Sequence, residues 1–362
     1  MMPCMQLFCV RRFMGIYLES GYLDFGKILS YKVPFNFIIG GRGTGKTYGA
    51  LKYMVEHHIK FIFMRRTQSQ LDIIRKEEYQ PFKKLNEDMG WSIQPIQITK
   101  YSSAFYECER DKNGKWKPKE GAEALGLMVA LSTISNVRGF DATDRDVLIY
   151  DEMIPERHER PIKDEANAFF NAIETVQRNR ELEGKDPLLV LCLSNSNELA
   201  NPIFIELKIV KKAMALMNKG IEIDIDRKRE LALFILRDSK ISQLKKNTAL
   251  YKLTRGTSFE AMSIDNNFED MVGVKVVSRN LKEYIPVCCI GEICIYKHKS
   301  NKTYYVSMHK MGNPEEYTIS EADVMRFRKK YTYLMDAYLF DNIDFEEYAC
   351  ESLFRKYIYK TI

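Results

Sequence analysis

At 362 residues, with 45% apolar and 29% charged side chains, the chain is long enough for two domains with separate cores and has the balance of an ordinary globular protein. No apolar run approaches the ~20 residues needed to cross a bilayer, so no membrane role is expected. The net charge of +6 is concentrated, since residues 206–256 hold 13 Lys and Arg against 6 Asp and Glu; such a stretch suits a polyanionic partner.

The opening segment is mildly apolar but interrupted by Arg11 and Arg12, which reads as an extension packed on the core or a start-site artefact rather than a signal peptide. FNFIIG (35–40) then predicts a buried strand, and TYGALKYMVEHH (47–58) an amphipathic helix. Between them lies GGRGTGKT, a complete phosphate-binding loop: Gly40, Gly41, Arg42, Gly43, Thr44, Gly45, Lys46 and Thr47. Glycines let several N–H groups turn inward around an anion, and the following helix N-terminus adds positive potential. Lys46 is expected to reach the β- and γ-phosphates of ATP, and the Thr47 hydroxyl to bind Mg²⁺. FIFMRR (61–66) predicts the next strand, QITKYSSAFYECE (97–109) another, and residues 110–124 an exposed hairpin or loop. LMVALSTISNVRGF (127–140) reads as a strand ending in a turn at residues 136–139.

VLIYDE (147–152) is an apolar strand ending in two acids. A strand's C-terminal edge faces the ligand crevice of an open α/β sheet. Asp151 is expected to hold the metal and Glu152 to orient and deprotonate the attacking water. ANAFFNAIETVQRNRE (166–181) predicts a helix, and LLVLCLSNSNE (188–198) a further apolar strand. A strand with a polar tip at this point in the order is the mark of the additional-strand P-loop (RecA-like) ATPases. It places Asn195, with Ser194 as an alternative, beside the γ-phosphate. Residues 206–256 read as basic and helical, within which Lys211, Lys212, Lys245 and Lys246 are candidate contacts to a DNA backbone. From about residue 271 an antiparallel pattern appears, closed by helices over 320–339 and 344–360. The eight cysteines form no C-x-x-C pair and read as buried free thiols; the five histidines show no metal spacing.

In order and spacing, GGRGTGKT after FNFII, FIFMRR, LIYDEMI, TVQRNRE, LCLSNSNELANPIF, GTSFEAMSIDNNF and the terminal FRK helix resemble the DNA encapsidation (genome-packaging) ATPases of small short-tailed bacteriophages. The resemblance covers about residues 25–362. It implies an α/β fold with a smaller C-terminal α+β, ribonuclease-H-like domain, divided as an ATPase domain (1–240), a linker (241–270) and the C-terminal domain (271–362). It further implies a homopentameric ring that moves double-stranded DNA into an empty procapsid in the host cytoplasm, docked transiently at the portal, with a packaging RNA left open. Arg42 would sense the γ-phosphate in cis, and Arg178, ahead of Arg180, would act as an arginine finger in trans. A large terminase with a live nuclease is the alternative. Two-metal cleavage needs converging carboxylates, whereas the C-terminal part offers Glu292 on a strand and the scattered Asp336, Asp341 and Asp344. A relict, non-enzymatic scaffold is disfavoured by the intact Lys46, Thr47, Asp151 and Glu152.

Overall fold

The computed structural model describes residues 15–359 apart from 138–141, 143, 157–158, 160–161, 197, 237–239, 258–259 and 261–275. Among the described residues the chain forms two sheets. The larger is built from β1 (Phe35–Ile39), β2 (Phe61–Arg65), β3 (Ile93–Gln97), β4 (Ser103–Arg110), β5 (Trp116–Pro118), β6 (Gly126–Ala130), β7 (Val147–Asp151), β8 (Leu189–Ser194), β9 (Ile223–Asp226) and β10 (Leu231–Ile235). Its order is β3-β4-β6-β2-β7-β8-β1-β10-β9, with β5 paired to β4. The centre, from β6 to β10, is parallel, and antiparallel strands close both edges. β8 lies between β1 and β7, so the tips carrying Lys46, Asn195 and Asp151 are neighbours.

Alternate residues of each central strand serve two cores. Phe37, Ile39, Leu148 and Tyr150 pack on one face with α5 (Glu165–Gln177), α6 (Pro202–Glu206) and α7 (Val210–Lys219). Ile38, Val147 and Ile149 pack on the other with α1 (Phe25–Leu29), α2 (Lys46–Glu56), α3 (Gln68–Ile74) and α4 (Lys83–Met89). A parallel strand covered on both faces is apolar at nearly every position, which is why these strands read as near-continuous apolar runs; the buried Asn36 of β1 donates its side-chain amide N–H to the Val33 carbonyl at 2.7 Å.

The second sheet is formed by β11 (Tyr284–Ile290), β12 (Ile293–His298), β13 (Tyr304–Ser307), β14 (Glu315–Tyr317) and β15 (Ile343–Phe345), in the order β14-β11-β12-β13-β15. An antiparallel meander of three strands carries a parallel strand at each edge. Helices α10 (Glu321–Lys330), α11 (Tyr333–Leu339) and α12 (Tyr348–Ile358) share its core. Two short helices, α8 (Lys240–Lys245) and α9 (Ala249–Leu253), lie between the sheets in sequence. The two cores are continuous, and the Lys211 ammonium donates to the Met308 carbonyl at 2.9 Å across the join.

Four expectations change. The strand expected over 97–109 begins only at Ser103: Gln97 ends β3, and the chain turns between them with the Ile98 N–H donating to the Ser102 carbonyl at 3.1 Å. Residues 131–137 form a 3₁₀ helix, Leu131–Val137, and the rest of the turn expected at 136–139 lies outside the described residues. Residues 206–256 are not helical throughout. Ile223 and Ile225 alternate with Asp224 and Asp226, a period of two, and the following LALFI is wholly buried and pairs parallel to β1. Finally, Cys289 and Cys294 are joined as a disulfide, because the turn at Gly291 and Glu292 sets them directly opposite one another in the β11–β12 hairpin. Cys108, Cys192, Cys288 and Cys350 are free and buried as expected. The first 14 residues of the opening extension, and most of GTSFEAMSIDNNF, lie outside the described residues. Among the described residues no helix is long and apolar enough to cross a membrane.

Candidate active site

The phosphate loop leaves β1 and enters α2 as the sequence predicts. Its glycines are there for space and backbone hand. Gly43 and Gly45 adopt φ of +74° and +81°, a region that L side chains avoid. A Cβ on Gly40 would stand 2.4 Å from the Leu236 Cβ, where β10 ends against the loop. Lys46 is buried and its ammonium donates to the carbonyls of Gly40 (2.9 Å) and Gly41 (2.7 Å) and to Asn195 Oδ1 (3.2 Å). Desolvation pulls its pKa down to about 7, against the opposing pull of Asp151. A cation held in so dry a loop is stabilised by an anionic ligand.

The Thr47 hydroxyl donates to Asp151 Oδ1 at 2.7 Å. A hydroxyl and a carboxylate that meet at hydrogen-bond distance beside a phosphate cradle are the oxygen donors that Mg²⁺ takes. These residues therefore fit a nucleotide with its metal. Glu152 follows at the strand's edge with φ +55°, in a backbone region uncommon for a residue with a side chain. That turn swings the carboxylate out of the strand and leaves half of it exposed. Desolvation in the crevice raises its pKa, Arg65 works against this, and Asp151 adds to it.

Arg65 is the residue that sequence reasoning missed. At the end of β2, its guanidinium donates to Asp151 Oδ2 at 2.7 Å and to Glu152 Oε2, so one cation spans both acids. The signal was the pair Arg65 and Arg66 at the tip of the strand beside β7. Arg66, fully buried, points the other way: it makes a two-pronged contact with Glu165 (2.6 and 2.9 Å) at the first turn of α5.

The other candidates separate. Arg42 pairs with Glu156 of the loop that follows β7. The hydroxyl of Ser194, the alternative to Asn195, accepts the Ile154 N–H at 3.0 Å. Arg180 is structural, though not through Glu174 or Glu181: its buried guanidinium donates to Asp146, to the Arg145 carbonyl and to the Asp186 carbonyl, each at 2.7 Å. Those partners sit where β7 and β8 begin, so Arg180 and the exposed Arg178 lie at the opposite edge of the sheet from the phosphate loop. Lysines nominated for DNA are engaged within the chain: Lys211 with Met308, Lys212 with Asp224 and Asp226, and Lys245 with the Arg42 carbonyl. The Glu292 carboxylate accepts the Lys211 N–H at 3.3 Å at the start of α7, fastening the second sheet to the first. Asp344 is held by Arg279, and among the described residues no group of three or more His, Cys, Asp or Glu gathers as a metal site.

The sequence pattern of the podovirus DNA encapsidation protein (Gp16) family matches residues 18–94 and 121–357. The chain belongs to that family. Viral DNA packaging is accordingly its function, and the motifs that carried the resemblance fall inside the matched spans. The unmatched span, 95–120, runs from the end of β3 through β4 and β5 at one edge of the larger sheet. This family member is 26% identical over 354 residues to the DNA packaging protein of Bacillus phage phi29, covering 91% of this chain and 96% of that one. It is 29% identical over 262 residues to the DNA packaging protein of Bacillus phage B103, covering 70% of each. Its fold is similar to that of a chain in the bacteriophage Phi-29 viral genome packaging motor assembly, with a TM-score of 0.59 at 18% identity, covering 95% of this chain and 100% of that one. A chain of the Phi-28 gp11 DNA packaging motor is similar at a TM-score of 0.54 and 18% identity, covering 92% and 97%.

Proposed function

We propose that this encapsidation protein is the ATP-driven motor of packaging, hydrolysing ATP to translocate double-stranded DNA into a procapsid. The observation that carries the reading is the Thr47–Asp151 contact of 2.7 Å, set beside Lys46 and Asn195 at 3.2 Å. These four side chains, from the tips of three adjacent strands, form a phosphate-and-metal site with an acid, Glu152, next to it. Mg²⁺ held by Thr47 and Asp151 would neutralise charge on the phosphates. The chain's own residues do the rest. The loop N–H groups and Lys46 bind the phosphates, Arg42 reads the γ-phosphate from within the loop, Asn195 orients the attacking water and Glu152 accepts its proton. Arg65 holds Glu152 and Asp151 in register.

In this reading Arg178 completes a neighbouring subunit's site in a pentameric ring at the portal, with a packaging RNA as a further partner of the assembly and the host cytoplasm as its setting. Residues 1–240 form the additional-strand ATPase domain, 241–270 the linker, and 271–362 a ribonuclease-H-like unit that binds and does not cut. The engagement of Glu292 with α7 and of Asp344 with Arg279 supports that last point and weakens the terminase-nuclease alternative. The test is ATP turnover by the purified protein, alone and with DNA and empty procapsids. Stimulation by both together supports the motor; turnover indifferent to either, or metal-dependent cutting of DNA, would sink it.

A further inference from the structure

The helix that opens the basic linker ends on the phosphate loop. At its start, the Lys240 ammonium donates to the Glu19 carbonyl at 3.0 Å, and a Cβ on Gly21 would meet the Lys240 Cβ at 2.8 Å. At its end, Lys245 donates to the Arg42 carbonyl. A Cβ on Gly43 would stand 2.3 Å from the Lys245 ammonium nitrogen, so the lysine occupies the room that the glycine leaves at the loop's tip. α8 is thus wedged between the N-terminal segment, whose Leu23 N–H donates to the Thr44 carbonyl at 3.3 Å, and the phosphate cradle.

Lys46, Arg42 and Lys245 converge on one loop, and Lys245 and Arg42 both add to the burial that lowers the pKa of Lys46. Burial, then Arg42, pushes the Lys245 ammonium down in pKa. Its partner is a neutral carbonyl; a phosphate oxygen would form a charge-assisted bond of roughly twice the strength, and a lysine's flexible four-carbon stem allows the exchange.

We propose that Lys245 is a second lysine ligand for the nucleotide's phosphate chain, supplied in cis by the linker, and that it exchanges the Arg42 carbonyl for phosphate when a triphosphate binds. α8 then reports nucleotide occupancy to the segment joining the two sheets. The inference rests on the nucleotide-site reading above.

The experiment compares wild type, Lys245→Ala, Lys245→Met and Lys245→Arg for equilibrium binding of a fluorescent, non-hydrolysable ATP analogue and of ADP, each with Mg²⁺. Hydrogen exchange of peptides spanning 240–257 is followed with and without the analogue. A charged hydrogen bond lost from the phosphates should weaken the analogue about tenfold or more. ADP should lose less, Lys245→Arg should recover most of the affinity, and the analogue should change exchange over 240–257 in wild type but not in Lys245→Ala. Lys245→Met keeps the stem's packing, so it reads the charge should Lys245→Ala fold poorly. Affinity within about twofold of wild type in Lys245→Met, or exchange over 240–257 that the analogue leaves unaltered in wild type, overturns the proposal. Lys46→Ala is the control for the site itself: wild type that binds no better than Lys46→Ala would sink the nucleotide-site reading, a distinct failure.

Discussion

Glu152 and Arg65 divide one task between them. In the proposed mechanism Glu152 supplies a base, and Arg65, which donates to its carboxylate, sets where that base points. Replacing Glu152 with Gln keeps the size of the side chain and the phosphate cradle but removes the proton acceptor. Nucleotide affinity should stay near wild type while turnover falls by about two orders of magnitude or more, given the ~10²–10⁴ that general acid–base catalysis contributes. Equal turnover in the two proteins would show that another group is the base. Arg65→Ala leaves both groups of the Thr47–Asp151 pair in place but frees Glu152 from its restraint. Its kcat should drop about tenfold or more with nucleotide affinity changed far less, the signature of a positioning defect; a matched loss of affinity would assign Arg65 to binding instead. Lys46, Thr47, Asp151 and Glu152 were legible in the sequence because the phosphate loop and the acid-ended strand each form a local pattern. Arg65 was not, because its partners lie 86 and 87 positions away and the sheet order alone brings them together.

At the scale of elements, the buried Arg66–Glu165 pair ties the tip of β2 to the start of α5. The helix is strongly apolar on its inner face, with Phe169, Ala172, Ile173 and Val176 buried, so packing holds it down while the ion pair sets its position along the sheet. Arg66→Met would strand Glu165 in the interior. Removing one partner of such a pair costs about 3–5 kcal/mol, so the urea midpoint should fall markedly. Adding Glu165→Leu should recover much of the loss, and a single variant as stable as wild type would mean that Glu165 finds water or protonates freely. The helices and central strands were legible because their apolar periods are local. β9 and β10 were obscured by the basic run at Arg227, Lys228 and Arg229, which forms the turn between them and masks the alternation on one side.

For the molecule as a whole, α5 decides what Arg178 can do. The helix spans 13 residues, or ~20 Å at 1.5 Å per residue, and its last turn lies by the start of β7, away from the loop. That placement is why the role proposed for Arg178 is in a neighbour's site and not in its own. Arg178→Ala should be inactive alone yet regain activity when mixed with Glu152→Gln subunits, since some interfaces then join an intact site to an intact finger. ATPase assays across mixing ratios, with mixed rings verified by mass, check this; no recovery at any ratio counts against the trans role. Duplex binding belongs to the same scale. A motor that moves any sequence should hold phosphates rather than bases, so affinity should fall steeply with salt and vary little between two unrelated duplexes. Neutralising Lys211 or Lys212 should instead disturb docking and stability, because both are committed within the chain.

By itself the sequence determined the phosphate-loop and acid-ended-strand motifs, the alternation of strands and helices that carries them, and the family. Those depend on two short local patterns, the glycines, lysine and hydroxyl of residues 40–47 and the adjacent acids Asp151 and Glu152 at a strand's end. Only the tertiary structure decided the roles that depend on strand order and docking. It set Arg65 across both acids and Arg66 beneath α5, spent Glu292 on the start of α7 and Arg180 on the strand starts, and drew Lys245 from the basic stretch onto the phosphate loop. The physical reason is the same in each case. A long charged side chain takes the partner that lies within reach and is shielded from water, and sequence separation carries no information about which partner that will be.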